Sequence, residues 1–286
     1  MIVDPKNISQ YLPSINFKVE PKRLIPYIVE AQREITDRIL GYDIEELLVE
    51  NSDDNLSELK NLACRAISIT AYLNAIPEMD LQLSEAGFVV ASNETFKPAS
   101  KERVERLMES LRRRKSSALD SLLVFLVHNS KDDASPVKDW RGSRQFAYFS
   151  QTPIFTLAKF EHFSLDLGVN IKMDWDKFYS VIPVMNETLR SEVAYYVSNE
   201  YIDGVMERLR DAEPILVIEK NVVGYIRRAI VSAALGKKEL IMEMSIKARN
   251  IMLSNIDQFP IFYKSDSYRL PESSITGTGG VSNFLV

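Results

Sequence analysis

The 286-residue chain holds two histidines and one cysteine, the residue types that most often act as general bases, metal ligands or nucleophiles. His128 falls at the end of a long helical pattern, where a cation complements the helix dipole, so it is read as a helix-terminal residue. His162 follows Glu161 with no second His or Cys at ligand spacing. Cys64 lies beside an apolar helix face with only Arg65 to favour a thiolate, so a buried, inert thiol is expected. Asp174 and Asp176 flank Trp175 at a helix start, which is capping chemistry before it is a metal pair, and Asp132-Asp133 reads as a turn. Gly277-Thr278-Gly279-Gly280 lacks the strand, Lys-Ser/Thr pair and helix of a phosphate loop. No serine sits in a Gly-x-Ser-x-Gly elbow. These residues yield no catalytic set, no metal site and no cofactor, and a non-enzymatic protein is expected.

Charge offers more. Lys101, Arg103, Arg106, Arg112, Arg113, Arg114 and Lys115 crowd half of one helix, against Glu102, Glu105 and Glu109. The early cations have partners three and four residues away and read as a solvated face. Arg112, Arg113, Arg114 and Lys115 have fewer, and either a solvated run or a contact with DNA or an acidic neighbour fits them. At the other end of the chain Val281, Phe284, Leu285 and Val286 are poor residues to leave in water and are candidates for docking on another subunit.

The elements that would position these residues follow from pattern. With 45% hydrophobic and 26% charged residues the chain can bury a core, and a net charge of −5 argues against a protein coated in nucleic acid. One cysteine fits a reducing compartment. MIVDPKNISQYLP has no charged-then-apolar leader, and no apolar run approaches the ~20 residues of a membrane helix, so a soluble protein without membrane contact is expected. Helices are predicted after Pro21, over 43–50, over Leu59 to Leu73 ending before Pro77, and from Ser100 through Phe125. A β-hairpin is predicted across Leu81 to Val90. Phe163, Leu165, Leu167, Val169, Ile171 and Met173 alternate as a strand would, and a helix with Pro183 inside it follows.

The chain also repeats itself. Ile15, Phe17 and Val19 lead into Leu24, Ile28, Ala31, Ile35 and Ile39, while Val169, Ile171 and Met173 lead into Phe178, Ile182, Met185, Leu189 and Val193. Every pair is offset by 154 positions (169 against 15, 193 against 39), which indicates two copies of one supersecondary unit. Arg65-Ala66-Ile67 and Arg228-Ala229-Ile230 extend the match, as does Leu81 to Ser84 against Met242 to Ser245. On that alignment 240–253 would be a hairpin, although its Met and Glu content leaves a helix open. The expected fold is therefore α+β and helix-rich. It is a tandem duplication of a strand–helix–helix–hairpin unit, with one extra long helix and an extended C-terminal tail. Residues 1–130 would form the first repeat plus the long helix, 131–155 a linker, 156–264 the second repeat and 265–286 the tail.

The stretch GFVVASNETFKPASKERVERL at 87–107, with its continuation Leu122-Leu123-Val124-Phe125-Leu126, resembles an uncharacterised family encoded by tailed phages and prophages. FTLAKF at 155–160 and Arg228-Ala229-Ile230 are similar to that family as well. The resemblance implies a virion protein made in the bacterial host cytoplasm, a head–tail connector or adaptor of the phage neck. It would assemble as a homo-oligomeric ring, with portal and tail or neck proteins as partners and packaged DNA within reach. A tail-completion or terminator protein is the alternative within that class. A nucleic-acid-binding or regulatory module acting through helix 101–115 is the alternative outside it.

Overall fold

The computed structural model describes residues 1–12, 21–50, 56–79, 81–84, 87–90, 100–211 and 216–269. By contact it divides into two compact units, Met1–Tyr148 with Thr156–Ala158, and Phe149–Phe155 with Lys159–Val286. Both are helical. The α+β expectation is corrected: among the described residues the only sheet is one two-stranded hairpin.

In the first unit a short helix α1 (Ile8–Tyr11) precedes α2 (Ile25–Ile35), which widens into a π-turn at Thr36–Leu40. Gly41 (φ 79°) breaks the chain direction, and α3 (Tyr42–Glu50) and α4 (Ser57–Met79) follow. The stripe at Leu24, Ile28, Ala31, Ile35 and Ile39 is fully buried, because at this spacing the five side chains share one face. That face packs on α4, which packs in turn on α5 (Lys101–Asn129). As the middle layer, α4 buries residues around its whole circumference, Cys64, Ser68 and Thr70 included. It also runs through Pro77 instead of stopping before it, in its last turn. Strands β1 (Leu81–Ser84) and β2 (Gly87–Val90) form the expected antiparallel hairpin, with Leu81 opposite Val90. The polar stretch read as a linker is folded as well. It holds a 3₁₀ turn at Lys138–Gly142, α6 (Arg144–Phe149) and a buried Trp140.

The second unit places α7 (Leu157–Asp166) where the strongest strand was expected. Phe160, Phe163 and Ser164 are buried while Leu165 is 58% exposed, a 3–4 residue rhythm and not an alternation. Gly168 (φ 72°) ends the helix, and Ser164 closes the turn by bonding both ways with Val169. The partner strand at 15–19 lies outside the described residues. Next come α8 (Trp175–Thr188), a π-turn at Leu189–Val193, α9 (Ala194–Val197), α10 (Asn199–Asp211) and α11 (Val217–Ala234). The stripe at Phe178, Ile182, Met185, Leu189 and Val193 is as buried as its counterpart. It faces α11, which packs closely on α12 (Lys238–Ser254). That helix replaces the second hairpin. Ile241, Met244, Ser245, Ala248 and Met252 form one buried helical face, so the match between Leu81 and Met242 is a likeness of residue types alone. The last described helix is α13 (Pro260–Tyr263).

The expected tandem duplication of a strand–helix–helix–hairpin unit is not found: among the described residues the second unit has neither the strand nor the hairpin, and the two units share only an order of helical elements. Each unit carries a helix, a π-turn, a residue with positive φ, a second helix and a buried middle helix. In the second unit α9 adds four residues before the break, so Ser198 stands where Gly41 stands in the first.

Lys115 is buried on α5 and pairs with Glu34 of α2 at 3.1 Å. Removing Lys115 leaves Glu34 with Arg38, 3.3 Å away, as its remaining partner in a place poor in water. Lys115→Ala is expected to destabilise the first unit by about 1–3 kcal/mol in urea unfolding, since Glu34 retains some solvent. Replacing the pair together, Glu34→Leu with Lys115→Met, is expected to recover most of that loss.

Candidate functional site

A π-turn followed by a break leaves backbone carbonyls at a helix end that no following turn can satisfy. Both units meet this demand with side chains brought from later in the chain. In the first, the Gly41 N–H donates to Thr36 O at 2.8 Å, the wide π ring. The Trp140 indole N–H donates to Ile39 O at 2.8 Å, and Gln145 Nε2 donates to Asp37 O at 3.0 Å. In the second, Arg249 Nη1 donates to Tyr196 O at 3.1 Å, while Ala194 O accepts both the Ser198 N–H at 2.9 Å and the Ser267 hydroxyl at 3.1 Å. Arg249 also donates to the carbonyls of Ser267 and Tyr268, tying the end of the described chain to the break.

In the first unit this arrangement opens a cleft of about 660 Å³. Leu40, Ile44, Leu47, Pro136 and Trp140 supply its apolar wall, and Tyr42, Asp43, Asp139, Ser143, Arg144 and Gln145 its polar wall. The Tyr42 hydroxyl donates to Asp37 at 2.8 Å, and Arg144 lies 3.8 Å from the same carboxylate. That bond pushes the exposed Tyr42 phenol above its ordinary value. The cleft can hold a small amphipathic group.

The residues singled out in the sequence fall elsewhere. The run from Arg112 to Lys115 is divided by helix geometry, since consecutive residues point about 100° apart. Arg112 is exposed, Arg113 pairs with Glu109 at 2.6 Å, Arg114 donates to the Tyr11 carbonyl at 2.9 Å, and Lys115 is buried against Glu34. Two of the four are therefore held inside the unit and do not form one outward patch. Val281, Phe284, Leu285 and Val286 lie outside the described residues. His128 is exposed in the last turn of α5, and His162 is exposed on α7 with its ring 5.1 Å from that of Phe163. Asp174 caps α8 by accepting the Lys177 N–H at 2.8 Å. Cys64 is buried, with its thiol against the Ile2 carbonyl at 3.5 Å; burial pushes that thiol up.

Two buried ionisable groups missed by sequence reasoning, Glu219 and Arg249, are tied into the fold. Glu219 on α11 accepts from Arg208 and from the Tyr201 hydroxyl, and burial followed by the Glu219 charge pushes the Tyr201 phenol up. Glu219 sits in the first turn of α11, which reads as ordinary helix-start chemistry, so nothing in its own surroundings marks it as buried. Trp140 could have been suspected, because a tryptophan inside a polar stretch rarely stays in water. Among the described residues no group of three or more His, Cys, Asp or Glu could hold a metal ion, and no helix is long and apolar enough to cross a membrane.

Residues 31–150 match the model of a family described only as a family of unknown function, DUF6712. The match includes every residue of the cleft and both carbonyl-capping side chains of the first unit. No curated protein and no solved structure matches the chain.

The breaks differ in strain. Gly41 (φ 79°, ψ 159°) and Ser198 (φ 74°, ψ 149°) occupy a region that only glycine enters freely. Gly41→Ala is expected to cost about 1–3 kcal/mol, since its Cβ would also stand 3.2 Å from Gln145 Oε1. Ser198→Gly is expected to gain about 1 kcal/mol, as strain relief exceeds the loss of the Ser198 hydroxyl as a cap for Tyr201 N–H. Thermal unfolding of both variants checks the pair.

Alkaline pH provides a second check. Burial, then the Cys64 charge, pushes the Tyr11 phenol from 10.0 up to about 12. A raised phenol pKa means the fold favours the neutral form, so its contribution is intact below pH 10.0 and disappears as pH rises through about 12. Urea midpoints of the wild type are expected to fall across that window, and Tyr11→Phe is expected to fall less.

Proposed function

We propose that this protein is a non-enzymatic structural component of a phage-like virion, a ring-forming connector or adaptor of the neck that joins portal to tail. The observation that carries the reading is the use made of its buried ionisable groups. Lys115, Glu219 and Arg249 each complete a contact inside one unit, as a scaffold requires and as a site with groups poised for proton transfer does not. Further support comes from the stretch at 87–107 and its phage-family resemblance. Exposed apolar side chains such as Val29 (54%) and Val217 (80%) are available for contacts between subunits.

A regulatory module acting through helix 101–115 is the less favoured reading, because Arg114 and Lys115 are committed to Tyr11 and Glu34.

Light scattering on the purified protein, with electron microscopy of the same sample and of a mixture with portal protein, tests the proposal. Closed rings, alone or on the portal, are the expected result. A protein that stays monomeric in both samples would contradict it.

A further inference from the structure

We infer that the cleft of the first unit binds a cation carried on an apolar stem, an alkyl ammonium or alkyl guanidinium. The cleft holds about 660 Å³, within the range of small-molecule sites, and its lining residues all belong to one unit. Leu40, Ile44, Leu47, Pro136 and Trp140 form a wall that an aliphatic stem would cover, removing apolar surface from water on both sides. The polar lining then decides what the stem carries, because three of its acceptors are unspent.

Gln145 supplies the first. The residue is only 5% exposed, and its Nε2 is committed to Asp37 O at 3.0 Å. Its Oε1 accepts no hydrogen bond among the described residues and stands beside Gly41, another residue of the lining. A Cβ at Gly41 would come within 3.2 Å of that oxygen, so the missing side chain leaves room there for a donor. A buried acceptor without a donor is costly, and a ligand N–H entering the cleft would satisfy it. Asp43 and Asp139 supply the other two. One stands in the first turn of α3 and the other in the 3₁₀ turn at Lys138–Gly142, so each segment contributes a carboxylate to the cleft. Both are exposed, and neither forms an ion pair or a side-chain hydrogen bond among the described residues. Arg144 is the only cation of the described lining, and it lies 3.8 Å from Asp37, a carboxylate outside the lining. An incoming anion would meet two carboxylates and an amide oxygen, whereas a cation with N–H groups finds an acceptor in each.

The cationic head has two sources, a free amine or the side chain of a protein, and the two are separable. The site goes beyond the connector reading, so its failure leaves ring assembly untouched, and a failure of that reading leaves the site. The test is isothermal titration of the full chain with agmatine, which carries a guanidinium and an ammonium on a short aliphatic stem. A capped peptide with arginine at its centre is titrated beside it, and 1-pentanol serves as the neutral stem. The variant is Asp43→Asn with Asp139→Asn, which removes both charges at exposed positions and keeps the side-chain shapes. Circular dichroism confirms that it is folded. The indole N–H signals of Trp140 and Trp175, followed by nuclear magnetic resonance, report where the probe sits.

Agmatine binding that moves the Trp140 signal, leaves that of Trp175 in place and falls about tenfold or more in the double variant is the expected result. If the capped peptide binds as well, the cleft takes a protein side chain. If agmatine binds and the peptide does not, it takes a free amine. No binding at millimolar agmatine, equal binding of 1-pentanol, or an affinity that the folded double variant retains would overturn the proposal.

Discussion

The structure depends on how it finishes a π-turn. Widening a helix by one residue per turn and then reversing it at a positive-φ residue leaves carbonyls pointing at nothing, and unpaired backbone oxygens away from water are costly. Trp140 and Gln145 answer this in the first unit, and Arg249 in the second, where Ser267 adds a second bond to a carbonyl already held by Ser198 N–H. The capping residues come from far along the chain, so each break is completed by a later segment packed against it. That requirement explains why the polar stretch around Trp140 is built into the first unit, and why Arg249, a charged side chain only 2% exposed, is tolerated in the second.

The same economy governs the charges. Lys115, Arg208, Glu219 and Arg249 are held in contacts that lock helices to one another or to a chain segment. Under the assembly reading, partners would meet the exposed faces of the units, where apolar side chains such as Val29 and Val217 stand in solvent.

Much of the buried pattern was legible in the sequence. The two five-residue stripes, 154 positions apart, are buried in both units because helix periodicity and a core face leave few alternatives. The inert Cys64, the Asp174 cap and the first hairpin were legible for similarly local reasons. The failures came where local pattern was ambiguous. Six alternating apolar residues from Phe163 to Met173 satisfied a strand template, yet Phe160, Phe163 and Ser164 already made a helical face, with Gly168 to stop it. Residues 240–253 were drawn toward a hairpin by analogy, while Ile241, Met244, Ala248 and Met252 followed helix spacing. The capping partnerships were invisible for another reason. Each is a meeting of residues far apart in sequence, and nothing in the neighbourhood of Trp140 or Arg249 announces its partner.

Native-state hydrogen exchange of the whole chain, read by mass spectrometry over peptides covering 36–42 and 189–198, tests the central claim most directly. If side chains from distant segments hold both breaks closed, the amides of Gly41 and Ser198, bonded to Thr36 O and Ala194 O, will exchange as slowly as those of the buried middle helices. Exchange at the rate of a frayed helix end in either peptide would contradict the account.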